Sequence, residues 1–224
     1  MHRKPRLLDL FCCAGGAGMG YSNAGFEVVG VDIRPQPRYP FAFHQSDWQT
    51  FLDEHWQELD VLHASPPCQG YSVLKSLSKS NAPLLIPAVR AAFKATGKSY
   101  VIENVPGAKR DLVNPLTLRG NQFGLRVIRD RLFEVNPFLL SPPLVPVNGS
   151  TKSHRGKNRL HDGAEYITVT GHCFLVEEAR RAMGIDWMTQ DELAQAIPPA
   201  YTQWIGEQLM RVCSGRVEQT LEVL

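Results

Sequence analysis

Residues 6–33, RLLDLFCCAGGAGMGYSNAGFEVVGVDI, constrain the fold more than any other stretch. A short apolar run ends in DLF, glycines interrupt it, a helical segment closes on YSNAGF, and the β-branched run FEVVGVDI follows. That order predicts a strand, a glycine turn, a helix and a second strand. DVLHAS at 60–65 and KSYVIENV at 98–105 read as further buried strands, with PLLIPAVRAAFKATG predicting a helix between them. Apolar strands alternating with helices place the chain in the α/β class, as a parallel sheet covered on both faces. Near the C-terminus, Ile197, Tyr201, Ile205, Leu209 and Val212 recur at helical spacing after a Pro-Pro pair, which predicts a last amphipathic helix.

The 224 residues suffice for one large core, and 43% hydrophobic with 21% charged residues is ordinary for a soluble globular protein. A net charge of +2 permits a polyanionic partner without demanding one. The basic start MHRKPRLLDLF runs into glycines too soon for a signal peptide, and no apolar stretch approaches a membrane span. Five cysteines, Cys12, Cys13, Cys68, Cys173 and Cys213, are odd in number with two adjacent, which argues for a reducing cytoplasm over a disulfide framework.

Clustered glycines after a strand let backbone N–H groups approach a ligand. Their spacing misses the dinucleotide fingerprint, because the third glycine counted from Gly16 or Gly18 falls on Tyr21 or Asn23. Asp32 ends the second strand, near where such folds hold ribose hydroxyls, so adenosine-type ligands remain open.

SPPCQGYS, at 65–72, sets Cys68 between a Pro-Pro pair and a Gln-Gly turn at a strand end. A zinc deaminase or a disulfide oxidoreductase needs a second cysteine three residues on, where Tyr71 stands, and the deaminase's glutamate position is Ser65. A single nucleophilic thiol remains, against the plainer reading of a small buried hydrophobe. Glu103 and Asn104 end an apolar strand, where a carboxylate is costly unless partnered. If that strand neighbours the one leading to Cys68, both groups open onto the carboxyl edge of the sheet, where ligands bind.

Taken together these blocks resemble the cytosine-C5 DNA methyltransferases. DLFCCAGGAGMGYSNAGF is similar to that family's cofactor loop, SPPCQGYS to its nucleophile loop, ENV to its catalytic carboxylate strand and RVIRDRLFEV to its arginine-bearing strand. EEARRAMGID and AQAIPPAYTQWIGEQL resemble its closing blocks. The resemblance implies a Rossmann-like sheet with helices on both faces plus a small basic lobe, S-adenosylmethionine as methyl donor, no metal, and DNA with a flipped cytosine as partner. It implies a cytoplasmic setting in bacteria or their phages, alongside restriction–modification. Cys68 is then the nucleophile and Glu103 the carboxyl that engages the ring, with Arg131 and Arg129 beside them on one strand face. Phe11, Ala14, Gly15, Gly16, Asp32, Asp47 and Pro67 would hold the cofactor, and Gln69 and Ser72 would meet the nucleic acid. Cys13, Val127 and Ala194-Gln195 stand where the family usually has Gly, Gln and Gly-Asn.

Three regions follow: a catalytic and cofactor-binding core at 1–135, a recognition insertion at 136–175, and a C-terminal return at 176–224 completing the core. The insertion is short for this family and contains no acidic residue from Val135 to His161. Its basic run TKSHRGKNRLH carries Lys152, Arg155, Lys157 and Arg159, which suit phosphates and specify little, so a short or relaxed target is expected. The same chemistry on RNA, single-stranded DNA or a cytosine nucleotide stays open, as does a binding module without turnover.

Overall fold

The computed structural model describes residues 3–71, 84–149, 151–152 (backbone alone), 165–172 and 174–214. Ser72, Arg155, Lys157, Arg159 and Cys173 lie outside the described residues, as does the Lys152 side chain.

Seven strands form one sheet: β1 (Arg6–Leu10), β2 (Glu27–Asp32), β3 (Ala42–Gln45), β4 (Val61–Ala64), β5 (Ser99–Asn104), β6 (Leu116–Leu118) and β7 (Arg131–Asn136). Their order is β3-β2-β1-β4-β5-β7-β6. The first five are parallel, while β7 lies antiparallel between β5 and β6. The expected parallel sheet is therefore mixed, because the chain reaches β7 from β6 by a short return with no crossover helix. This is a Rossmann-like methyltransferase fold.

Side-chain alternation divides the core. Leu8, Leu10, Leu62, Ala64 and Ile102 face α2 (Trp48–His55) and α3 (Ile86–Thr96) through Phe51, Leu52, Val89 and Phe93. Leu7, Val61, Val101 and Phe133 face α1 (Gly16–Asn23) and α6 (Pro199–Cys213) through Tyr21, Tyr201, Ile205 and Leu209. A third cluster joins α4 (Val176–Met183) and α5 (Gln190–Gln195) to Ala14, Val127 and Ile167. A short parallel pair, β8 (Thr151–Lys152) and β9 (Tyr166–Ile167), lies within the 136–175 region. Among the described residues no helix is long and apolar enough to cross a membrane.

Two local expectations change. The helix starts at Gly16, inside the predicted turn, and its glycines serve packing: a Cβ on Gly16 would sit 2.4 Å from the Ile197 carbonyl, and one on Gly20 2.1 Å from that of Pro199. The arginine-bearing strand begins only at Arg131, since Arg129 has φ +38° and turns the chain before β7.

Candidate active site

The parallel strands deliver their C-terminal ends to one edge, and four segments meet there. β1 ends in DLF and turns through left-handed backbone at Phe11 (φ 57°), Cys13 (φ 45°) and Gly15 (φ 83°). Such a turn presents successive amides outward, although only the glycine adopts it without strain. The C-terminal half pins this loop: Trp187 Nε1 donates to the Ala14 carbonyl at 2.8 Å and Thr202 Oγ1 to that of Ala17 at 2.8 Å.

At the end of β2, the Asp32 carboxylate accepts from the backbone N–H of Cys13 at 3.1 Å and of Arg34 at 2.9 Å, tying the two strand ends together. Asp47 caps α2, with Oδ1 accepting from Gln49 N and Thr50 N. Phe11 lies against Trp48 with ring centroids 6.1 Å apart, and Ile33, 69% exposed, follows Asp32. Apolar side chains beside a half-buried carboxylate form a surface that fits a nucleoside: rings for the base and an acceptor for ribose hydroxyls. Beneath the loop, Asp9 is buried on β1; Tyr39 Oη donates to its Oδ2 at 3.1 Å. Burial drives the Asp9 carboxyl up to about 7.

The nucleophile loop leaves β4 at Ala64. Asn104, next to Glu103 on β5, clamps it by donating from Nδ2 to the Pro66 carbonyl at 2.9 Å, and Tyr71 N closes a turn on the Cys68 carbonyl at 2.9 Å. Pro67 and Cys68 are half-buried and Gln69 is exposed. β4 and β5 are paired neighbours, so the sequence condition for uniting Cys68 and Glu103 is met. Glu103 is buried, and Arg131 Nε lies 3.1 Å from its Oε1. Burial raises the Glu103 carboxyl against the pull of Arg131, a Ser65 hydrogen bond and Arg129. The Cys68 thiol is also raised, first by burial and then by Glu103, with Arg131 opposing.

Arg129 does not share a strand face with Arg131. Its guanidinium donates to the carbonyls of Ala194 (2.8 Å), Ala196 (2.8 Å) and Val169, and burial lowers it to about 9. It bolts the closing segment to β7's approach, while Gln195 is exposed at the end of α5.

Much of the chain that builds this edge, where Cys68, Glu103 and Arg131 stand beside the glycine loop, lies in a stretch that resembles known proteins. The sequence profile described as C-5 cytosine-specific DNA methylase matches residues 5–114, which include the glycine loop, the nucleophile loop and the carboxylate strand. Over that stretch, just under half of its length, the chain is similar to the C-5 cytosine-specific DNA methylase family. Among curated relatives of this chain, the Type II methyltransferase M.XorII of Xanthomonas oryzae pv. oryzae is 30% identical over 122 residues, 46% of this chain and 29% of the relative. The Type II methyltransferase M1.HphI of Haemophilus parahaemolyticus is 32% identical over 117 residues, 44% of this chain and 32% of the relative. The chain thus spans about a third of the length of these two relatives. The fold is similar to that of the S. pombe Dnmt2 methyltransferase, with a TM-score of 0.61 at 14% identity over 94% of this chain and 99% of that chain. It is likewise similar to the Entamoeba histolytica methyltransferase EhMeth, with a TM-score of 0.55 at 14% identity over 94% of this chain and 98% of that one.

Sequence reasoning did not single out Ile33, Tyr39, Trp48, Ser65 or Trp187, nor a role for His63. The signal for His63 was present: a histidine inside an apolar strand, two residues before the nucleophile loop's serine. Tyr39 and Trp187 gave none, since each reaches the site from a distant segment.

Proposed function

We propose that this chain transfers a methyl group from S-adenosylmethionine to C5 of cytosine in DNA through a covalent Cys68 adduct. The support is the convergence of Cys68, buried Glu103 and Arg131 at one strand-end opening, with the ion pair at 3.1 Å. Phe11, Ala14 and Gly15 of the loop, with Asp32, Asp47 and Pro67, would hold the cofactor; the bare face of Gly16 is taken by Ile197. When bound, S-adenosylmethionine supplies an electrophilic methyl group and departs as S-adenosylhomocysteine.

Cytosine C5 is too weak a nucleophile to take that methyl group unaided. The Cys68 thiolate adds to C6, forming the S–C6 bond and moving the ring's electron pair toward C5, while Glu103 gives its proton to N3 and absorbs the developing charge. C5 then takes the methyl group. A base removes the C5 proton, the C5–C6 double bond re-forms, the S–C6 bond breaks and N3 returns its proton to Glu103. Burial suits Glu103 to the first step, because a carboxyl raised above its ordinary value keeps a proton to give. Arg131 holds the carboxyl's orientation and, by opposing the raised thiol, favours the thiolate. The target base must leave the stack, which costs a few kcal/mol in duplex and less in single strands.

The reading assigns 1–135 to catalysis and cofactor, 136–175 to target recognition and 176–224 to closing the core. The closing role is supported by Trp187, Ile197 and Thr202 on the glycine loop. With so short an insertion, few groove edges can be read, so the target is short or relaxed.

The test is transfer of labelled methyl from S-adenosylmethionine to duplex DNA, single-stranded DNA, RNA and dCMP in parallel, with Cys68→Ser as control. Label in duplex DNA that disappears in the variant is the expected result. Label confined to RNA, single strands or nucleotide overturns the duplex substrate and leaves the chemistry, whereas cofactor binding without transfer to any of the four overturns the activity.

A further inference from the structure

A buried hydrogen-bonded row that the methyl-transfer chemistry does not use runs beneath the site. Tyr21, on α1, meets His63 Nδ1 through its hydroxyl at 2.9 Å, and His63 Nε2 meets Ser65 Oγ at 3.0 Å; Ser65 follows Ala64, whose register partner on β5 is Ile102, and so stands beside Glu103, whose carboxyl it pulls down. Tyr21 and His63 have no exposed surface. The three residues come from α1, β4 and the first position after it.

The direction of the row follows from its two ends. Ionised or protonated, Glu103 keeps a carboxyl oxygen that can only accept, so the Ser65 hydroxyl donates to it and offers its lone pair to His63. Nε2 must then carry the ring proton, which leaves Nδ1 as the acceptor for the Tyr21 hydroxyl. Burial lowers the imidazole to about 3, so the ring is neutral and can hold both roles at once. Every proton in the row points toward Glu103.

We propose, resting on the methyltransferase reading, that His63 is a positioning residue whose Nε2–H tautomer, set by Tyr21, turns the Ser65 hydroxyl onto Glu103 and so fixes that carboxyl's orientation and proton occupancy. Because Tyr21 sits on the helix that follows the glycine loop, the row joins the cofactor loop to the carboxyl that activates the base. The groups facing Glu103 are Arg131 on β7, Arg129 before it, and Ser65 and Cys68 after β4; those facing His63 are Tyr21 and Ser65, with Asp9 opposite it in the β1–β4 register.

Two measurements decide this. The first needs no turnover: ring-nitrogen NMR of ¹⁵N-histidine-labelled protein, with His63 assigned by its loss in His63→Gln. The expected spectrum is one neutral Nε2–H tautomer, unchanged between about pH 5 and 8, and altered in Tyr21→Phe; an Nδ1–H tautomer, or titration in that range, overturns the row. The second is the pH dependence of kcat for methyl transfer. The Ser65 hydrogen bond favours ionised Glu103, so losing it raises the carboxyl and moves the alkaline limb of kcat to higher pH. Ser65→Ala and His63→Ala are expected to show that movement with kcat lowered about tenfold, the worth of one such hydrogen bond, and KM for S-adenosylmethionine little changed. In His63→Gln the side-chain amide can accept from Tyr21 and donate to Ser65, so the limb returns toward its original position. Lowered kcat with an unmoved limb in all variants overturns the positioning role and leaves a core histidine. If the unsubstituted chain transfers no methyl group at all, the activity reading fails, while the tautomer result still decides the row.

Discussion

A buried carboxyl raises a neighbouring thiol only while it is ionised, so Cys68 and Glu103 titrate against one another: protonating Glu103 readies it to serve N3 and also removes the charge that discourages the thiolate. Glu103→Gln should therefore lower the Cys68 pKa, and the chain should react faster with iodoacetamide at a fixed neutral pH, while methyl transfer is lost; unchanged or slower alkylation would separate the two groups. Asp9 offers a stability test with a defined sign. Its carboxyl is raised from 3.8 to about 7, so the folded state holds more protons than the unfolded one within that window and stability falls as pH rises through it. Asp9→Asn should flatten the decline in urea midpoint between these values, and a decline as steep as before would reassign it. Neither coupling was legible in the sequence. Cys68 and Glu103 stood out as polar residues at apolar strand ends, but the sequence could not supply Ser65 or His63 as partners, because the row crosses from α1 to β4 to β5.

The glycines of α1 show where element-scale reading stopped. A glycine cluster after a strand points to a close approach, and the approach is real, but for Gly16 and Gly20 the partner is the backbone at Ile197 and Pro199, over 170 residues along the chain. Helices meeting at backbone distance leave no room for a methyl group, and neither carbonyl can yield as a flexible side chain would. Gly20→Ala should cost about 1–3 kcal/mol and lower Tm by several degrees, measured by calorimetry. Gly97→Ala, at φ +68° with nothing within 4 Å, carries only the left-handed backbone cost and should lower it less. Equal effects would place α6 farther from α1. Strands β1, β2, β4 and β5 were legible because apolar runs bounded by turn formers are local signals. β3 and the antiparallel setting of β7 were not, since Ala42–Gln45 is largely exposed and strand direction is fixed by the connection.

At the scale of the molecule, the profile-matched stretch 5–114 carries the thiol and the carboxyl, yet Arg131 and the clamps on the glycine loop come from the remainder. The α/β class followed from composition and punctuation, whereas the interlocking of N- and C-terminal parts rests on contacts such as Trp187 with Ala14. The basic stretch of the insertion should behave as a phosphate-holding surface. Replacing Lys152, Arg155, Lys157 and Arg159 by Gln should weaken DNA binding similarly across sequences and flatten its salt dependence; loss of preference for one sequence over another would instead assign base reading to this run. The central claim, a covalent Cys68 adduct on cytosine, is tested most directly with duplex DNA in which every cytosine carries fluorine at C5, incubated with S-adenosylmethionine. With no C5 proton to remove, the S–C6 bond cannot be released, so a complex that survives denaturing electrophoresis should accumulate, its mass placing the DNA on Cys68. Its absence from an otherwise active chain, or its persistence in Cys68→Ser, would contradict the account.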